Sequence, residues 1–283
     1  MHQRLAPSTA RGLLYVALGG VAWGTGGPTG ALLFQYSGLN STAISFWRLL
    51  GGAFWLAIAC RVLGRGPIIQ QFAAAPMRYI LSGLGLAVCQ LGYFAAIPQV
   101  GVAIATVVSL GAGPVLIALG ARERITSTVL IAVLGLALLV SSGGGTGSGW
   151  IPGIAFSLLS AAGYALTTLL NRDQQDPITS AFLGFTTGAI MLLPLAMTRG
   201  LTPAPISWPL LAYFGLVPTA LAYALFYTGL RAIRASTAAV IALIEPLLAA
   251  LIGVLAFHEH LTTLSIIGAA VLLAAVLLQA RRE

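Results

Sequence analysis

Few residues in this sequence are of a type that does chemistry. Of the six acidic residues, Glu245 stands in the middle of a long apolar run, directly before Pro246. A charge at such depth is costly and normally faces a cavity or a partner. Two readings stand side by side. Glu245 is a carboxylate that takes up a proton or binds a substrate amine, or it is a helix-break acid that hydrogen-bonds backbone freed by Pro246. Arg48 is the other charge inside an apolar stretch. It has three candidate roles: pairing with Glu245, binding a substrate carboxylate, or snorkelling to the membrane surface.

Polar and aromatic residues recur at helical steps. Tyr79, Ser82, Leu86, Gln90 and Tyr93 form one such set; Ser160, Tyr164, Thr167 or Thr168, and Asn171 a second; Tyr213, Leu216, Ala220, Tyr223 and Tyr227 a third. Spacing of three or four places each set on one helix face. Trp23 stands at mid-depth of the first apolar segment. A lipid-facing helix gains nothing from Gln90 or Tyr164, so these faces are expected to point inward. The candidate substrate contacts are therefore Trp23, Gln90, Tyr93, Tyr164, Thr168, Tyr223 and Tyr227. The plainer alternative is polar packing between helices, which is common in membrane bundles. Tyr79, Trp150, Trp208 and Tyr213 lie near segment ends and read as interfacial anchors. Gly101, Ala105, Ser109 and Gly113 repeat every four residues, which favours close helix packing.

The elements that carry these residues follow from composition. The chain has 283 residues, 58% hydrophobic and only 7% charged, against about 25% charged in soluble domains. So few charges cannot cover a water-soluble surface, which excludes a soluble enzyme, a nucleic-acid-binding domain and a disordered chain. Stretches free of Asp, Glu, Lys and Arg run 12–47, 79–121, 125–171, 177–198 and 200–230. Since about 20 apolar residues cross the hydrocarbon core, breaks at Gly, Pro and polar residues predict ten transmembrane helices. These are 12–33, 40–60, 77–98, 101–120, 125–142, 151–171, 178–198, 208–230, 233–256 and 261–280. The first is longer than a signal-peptide core and nine spans follow, so it is kept as a helix.

All fourteen basic residues are arginine, and the net charge is +8. With a cytoplasmic N-terminus, twelve of the fourteen fall on the inside, among them Arg4, Arg11, Arg172 and Arg282; Arg199 is outside and Arg48 within a span. This asymmetry obeys the positive-inside rule and predicts both termini in the cytoplasm. The net charge then needs no nucleic-acid partner. Cys60 and Cys89 read as buried thiols. The Gly-rich stretch 143–149 lacks the lysine of a phosphate loop. His258 and His260, two apart, make a poor zinc pair. No nucleophile, base and orienting acid share a helix face. No cofactor, no metal and no catalytic residue are expected.

The chain also repeats itself. Aligning 94–115 with 226–247 superposes Pro114 on Pro246 and brings Arg122-Glu123-Arg124-Ile125-Thr126 near His258-Glu259-His260-Leu261-Thr262. LGGVAWGT (18–25) echoes LSAAGYAL (159–166), with Trp23 opposite Tyr164. The expected domains are a five-helix repeat over 1–142, a linker over 143–149 and a second five-helix repeat over 150–283. Five is odd, so consecutive copies cross the membrane in opposite senses, the pattern of secondary transporters with a midplane site. Helix breaks at matching places, here Pro114 and Pro246, mark the expected hinges.

The second half resembles the EamA module of the drug/metabolite transporter superfamily. The resemblance is carried by residues 220–262 and 266–278: Tyr223 and Tyr227, small residues from Ala235 to Ala239, the Glu245-Pro246 pair, and Glu259. The first half has Gly113-Pro114 in place of Glu-Pro. The resemblance implies an all-α integral membrane protein of ten helices around a central cavity, lined by helices 1, 3, 4, 6, 8 and 9. It implies export of small metabolites from bacteria, and is most similar to aromatic amino-acid exporters of the inner membrane. Helix 2 is peripheral in that fold, so Arg48 is expected to snorkel. The expected partners are a small-molecule substrate and membrane lipids, with a monomer sufficient. The competing readings are a proton-coupled exporter of flat cations, a channel and a scaffold.

Overall fold

A computed structural model describes residues 7–141, 149–258 and 260–283, and within them every regular element is a helix. Arg4, Glu259 and all but the last residue of the glycine-rich linker lie outside the described residues. Helices α1 (Thr9–Gly24) and α2 (Gly26–Tyr36) follow one another across Thr25. Helix α3 (Ser41–Val62) begins at Asn40, whose side chain accepts the Ala43 N–H at 3.0 Å. A short α4 (Ile68–Ala74) precedes α5 (Pro76–Ala121). Then come α6 (Ser127–Leu139), α7 (Trp150–Asn171) and α8 (Pro177–Met197), the last capped by Asp176. Helix α9 (Trp208–Gly215) passes through a π-helical segment, Leu216–Leu221, into α10 (Ala222–Gly229). Helices α11 (Ala235–Ala242) and α12 (Ile244–Phe257) are separated at Leu243, and α13 (Thr263–Ala280) closes the chain.

The 46 residues of α5 would span about 69 Å as one rod, more than twice the hydrocarbon core. Instead the chain doubles back at Gly101, whose φ of 80° and ψ of 162° suit glycine. The Tyr93 and Thr106 hydroxyls lie 2.9 Å apart, although 13 residues of straight helix would separate them by about 20 Å. The two arms, 76–100 and 102–121, match the two helices expected there. Among the described residues seven stretches are long and apolar enough to cross a membrane: Ser41–Val62, Pro76–Ala121, Trp150–Asn171, Pro177–Met197, Pro205–Gly229, Ala235–Phe257 and Thr263–Ala280. The chain is an all-helical, multi-pass membrane protein.

Packing relies on small residues. Helix α7 lies along α5, α6 along α13, α3 along α8, and α1 along α10. A Cβ added at Gly85 would stand 2.8 Å from the Gly163 carbonyl oxygen, so α5 and α7 touch backbone to backbone. Gly135 and Gly268 do the same for α6 and α13. Between helices surrounded by lipid the hydrophobic effect gives no net drive, and van der Waals contact at close range replaces it.

One end of the bundle gathers charge. Arg65 pairs with Asp176 at 3.3 Å, and a cleft of about 360 Å³ is lined by Glu123, Arg172, Asp173, Arg231, Arg234 and Glu283. The start of α1 is at this end, where Gly12 abuts Ala232, and so is Glu283, which binds Arg234. Arg199 is at the other end, its carbonyl accepting the Asn40 amide at 2.8 Å. Trp150, Trp208 and Tyr213 are exposed near helix ends, as anchors should be. Tyr79 is not: it is buried and stacks on Phe72 of α4, with ring centroids 6.1 Å apart.

Arg48 corrects an expectation. It does not snorkel. Pro218 has no N–H, so the Phe214 carbonyl loses its usual helical donor. Thr219 Oγ1 donates to that carbonyl at 2.7 Å, and the ladder opens into the π turn. The guanidinium of Arg48 then reaches across from α3, donating from Nε to Thr219 Oγ1 and from Nη2 to the Pro218 carbonyl, each at 3.3 Å. It also lies 5.1 Å from the Phe214 ring centroid. The Thr219 hydroxyl and the Pro218 carbonyl of the neighbouring helix hold the charge inward. Replacing Thr219 by Val keeps the shape but strands both groups. It should cost about 1–3 kcal/mol, read as a lower midpoint of unfolding in detergent.

Candidate functional site

Trp23 sits in the last turn of α1, where α12 comes so close that a Cβ on Gly24 would stand 2.8 Å from the Glu245 carbonyl oxygen. Its ring centroid is 4.9 Å from Tyr223, 4.9 Å from Phe226 and 6.4 Å from Tyr164. Tyr223 continues the chain to Phe185 at 4.8 Å and to Tyr227 at 5.5 Å. Several of these contacts are edge-to-face, the geometry that the ring quadrupoles prefer. Trp23, Tyr223, Phe226, Tyr227 and Phe185 are all buried, so together they form a packed wall. Tyr164 is half-buried and presents the open part of the cluster.

One group in this wall lacks a partner. Trp23 Nε1 is buried and makes no hydrogen bond. The Thr168 hydroxyl lies beside Tyr164. An unpaired buried donor costs about 1–3 kcal/mol, so it calls for an explanation such as a ligand or a water. Glu245 is half-buried on the first turn of α12. Among the described residues its carboxylate forms neither an ion pair nor a hydrogen bond, so the backbone-repair reading gains no contact. Tyr164, Tyr93, Cys89 and Arg48 are its electrostatic neighbours. Arg48 and Glu245 are not paired.

Toward the charged end the bundle is shut by a buried polar network. The Thr167 hydroxyl lies 3.0 Å from both Ser82 Oγ and the Tyr227 hydroxyl. Asn171 Nδ2 donates to Ser82 Oγ at 3.0 Å, and the Ser180 hydroxyl donates to Asn171 Oδ1 at 2.5 Å. The network joins α5, α7, α8 and α10, and makes Tyr227 a structural member. Of the other candidates, Gln90 is buried on the Ser82–Leu86 face of α5, and Tyr93 is held by Thr106. Phe226 and Phe185 were missed. Phe226 is three residues after Tyr223 and could have been found by helical spacing. Phe185 belongs to no stripe.

The two prolines are placed differently. The second arm of α5 runs through Pro114 without a break, and its non-helical residue is Gly101. In the second half the helix is interrupted at Leu243, three residues before Pro246. Among the described residues no group of three or more His, Cys, Asp or Glu is placed to hold a metal. His258, in a left-handed conformation, ends α12. The arrangement offers ring surface for an apolar or aromatic group, one unpaired carboxylate that can accept from an ammonium, and one unpaired indole N–H that can donate to a carboxylate or carbonyl oxygen.

The comparisons with known proteins agree with a transport role. The EamA-like transporter family matches residues 150–281. The uncharacterized transporter YwfM of Bacillus subtilis (strain 168) is 30% identical over 282 residues, covering 93% of this chain and 92% of its own. The uncharacterized inner membrane transporter YicL of Salmonella typhimurium is 27% identical over 289 residues, covering 96% and 95%. A crystal structure with 18% sequence identity superposes with a TM-score of 0.80 over 96% of this chain and 98% of that one, so the two share a fold. The chain belongs to the EamA-like transporter family and is a multi-pass membrane transporter.

Proposed function

We propose that this transporter exports small metabolites, foremost neutral and aromatic amino acids and related compounds, across the bacterial inner membrane by alternating access. The carrying observation is the wall built around Trp23. A packed aromatic cluster contains an indole N–H with nothing to bond, beside a half-open Tyr164 and an unpaired Glu245. In this reading Glu245 takes the ammonium group and Tyr164 the apolar or aromatic side chain. Trp23 comes from the first half of the chain and the other groups from the second, as expected of a site between two repeats.

The repeat itself, 1–142 and 150–283 in inverted sense, is supported by backbone detail. Arg122 and His258 are the two non-glycine residues with positive φ among those described, at φ 58°, ψ 32° and φ 55°, ψ 32°. Four residues after each, Thr126 and Thr262 open α6 and α13. Asn40 and Asp176 cap the second helix of each half. Packing of α1 on α10 is mirrored by packing of α7 on the first arm of α5. Counting α1–α2, α3, the two α5 arms and α6 against α7, α8, α9–α10, α11–α12 and α13 makes five rods in each half. The arginine-rich end is then cytoplasmic and holds both termini. A single copy supplies every residue of the site, and the reading uses no cofactor.

A second reading, a proton-coupled exporter of flat organic cations, is favoured by the same unpaired Glu245 beside Tyr164. Counterflow in proteoliposomes separates the two. Labelled phenylalanine should enter only vesicles preloaded with unlabelled amino acid, and saturably. Uptake of a flat cation that requires a pH gradient, with no amino-acid counterflow, would favour the second reading. Glu245→Gln should weaken amino-acid transport about tenfold or more, as expected when a charge-assisted bond is lost. Trp23→Phe removes the orphan N–H and keeps the ring. Its unfolding midpoint should hold or rise while the half-saturating substrate concentration increases several-fold.

A further inference from the structure

The charged end of the bundle is tied by a cap that crosses from one half of the chain to the other. Arg122, left-handed, ends the second arm of α5 and turns Glu123 out of the α5–α6 connection. The Glu123 carboxylate lands on the N-terminus of α11. Oε1 accepts the Ala235 N–H at 3.1 Å, Oε2 accepts the Ser236 N–H at 3.0 Å, and the Ser236 hydroxyl donates to Oε2 as well. Helix α11 has no acid in its own first turn and no side-chain cap from Arg234. The free N–H groups and the positive end of the dipole are therefore satisfied from the opposite half.

A second layer backs this contact. Glu283 accepts the Arg234 backbone N–H at 2.6 Å, Arg234 Nε at 2.9 Å and the Thr237 hydroxyl at 2.9 Å. Gln279 Nε2 donates to Thr237 Oγ1 at 3.0 Å, and its Oε1 accepts from Thr126 at 3.3 Å and from Thr128 in the first half. Helix α11 itself packs on α5, α1 and α13. Beyond the interruption at Leu243, α2 takes the place of α5, while α1 and α13 continue along α12. The second arm of α5 and the α11–α12 rod are therefore fastened together at the arginine end, with an interrupted helix between that fastening and Glu245.

We infer that the Glu123 cap on α11 is the inner gate of the carrier: it holds the arginine end shut in this structure and must release before the site opens to that side. The inference rests on the alternating-access reading. Its geometry suits a gate because three bonds to one carboxylate can be exchanged for water at the rim, ahead of the buried Ser82–Asn171 network that must open after it. Glu123 acts as a positioning residue and touches no substrate.

Cysteine labelling tests it without any substrate. One reporter is Ser82→Cys in a Cys60→Ala, Cys89→Ala background; Ser82 is 1% exposed and about 9 Å along α5 from its start at the arginine end. The other is native Cys89, half-buried at mid-bundle, in a Cys60→Ala background. A membrane-impermeant maleimide is applied to one face at a time in oriented vesicles. Glu123→Gln should raise labelling at position 82 from the arginine face several-fold and lower labelling of Cys89 from the opposite face. Ser236→Ala, which removes one bond of the three, should shift both rates in the same directions by less, and serves alone if Glu123→Gln does not fold. Unchanged rates at both reporters overturn the gate. Lost counterflow with unchanged labelling overturns it too, and leaves the carrier reading intact. Shifted labelling in a protein that moves no amino acid supports the gate and removes the substrate assignment instead.

Discussion

Hydrocarbon offers no hydrogen bonds, so every backbone group that a helix releases inside the membrane must find a partner within the protein. The interruptions in this bundle follow that requirement. At Thr25 the hydroxyl returns to the Ala22 carbonyl at 2.8 Å, and the Thr29 hydroxyl takes the Thr25 carbonyl at 2.8 Å. At Pro218 the repair needs two helices, with Thr219 reclaiming one carbonyl and Arg48 of α3 reaching the next. A charged side chain that looks functional by its depth is thereby largely occupied by structure. Close pairing has a separate cause, van der Waals contact between helices in lipid, which is why glycines line the α5–α7 and α6–α13 seams.

Against that background the unsatisfied groups are informative. Trp23 Nε1 is an exception in a wall that is otherwise packed, and Glu245 is a carboxylate near mid-bundle with no partner drawn from the described residues. Both lie where the two halves of the chain meet. At the arginine end the halves are instead tied together: Glu123 and Gln279 join first-half and second-half elements through hydroxyls and helix N–H groups. One part of the interface is fastened and another is left open, as a carrier that closes at one end around a central site would require.

Much of this was legible beforehand because the relevant signals are local. Apolar run length located helices, and the steps of three and four put Tyr164, Tyr223 and Tyr227 on inward faces. Pro114 misled because a proline in a membrane helix need not break it when neighbours satisfy the freed carbonyl, whereas Gly101 reverses the chain by backbone freedom alone. Phe185 and the Glu123 cap were invisible because each acts on a helix distant in sequence.

What the sequence determined by itself is the class of solvent the protein lives in, its helical make-up, and the inward face of the helices that carry Gln90, Tyr164 and Tyr223. Those depend on composition and on periods of a few residues. Only the tertiary structure decided which inward-facing groups are consumed by neighbours and which stay unpaired. Arg48, Tyr227 and Glu123 proved to be bonded, and Trp23 and Glu245 did not. That distinction depends on contacts between helices far apart in the chain, such as Arg48 with Pro218, 170 residues on, and no local pattern encodes such distances.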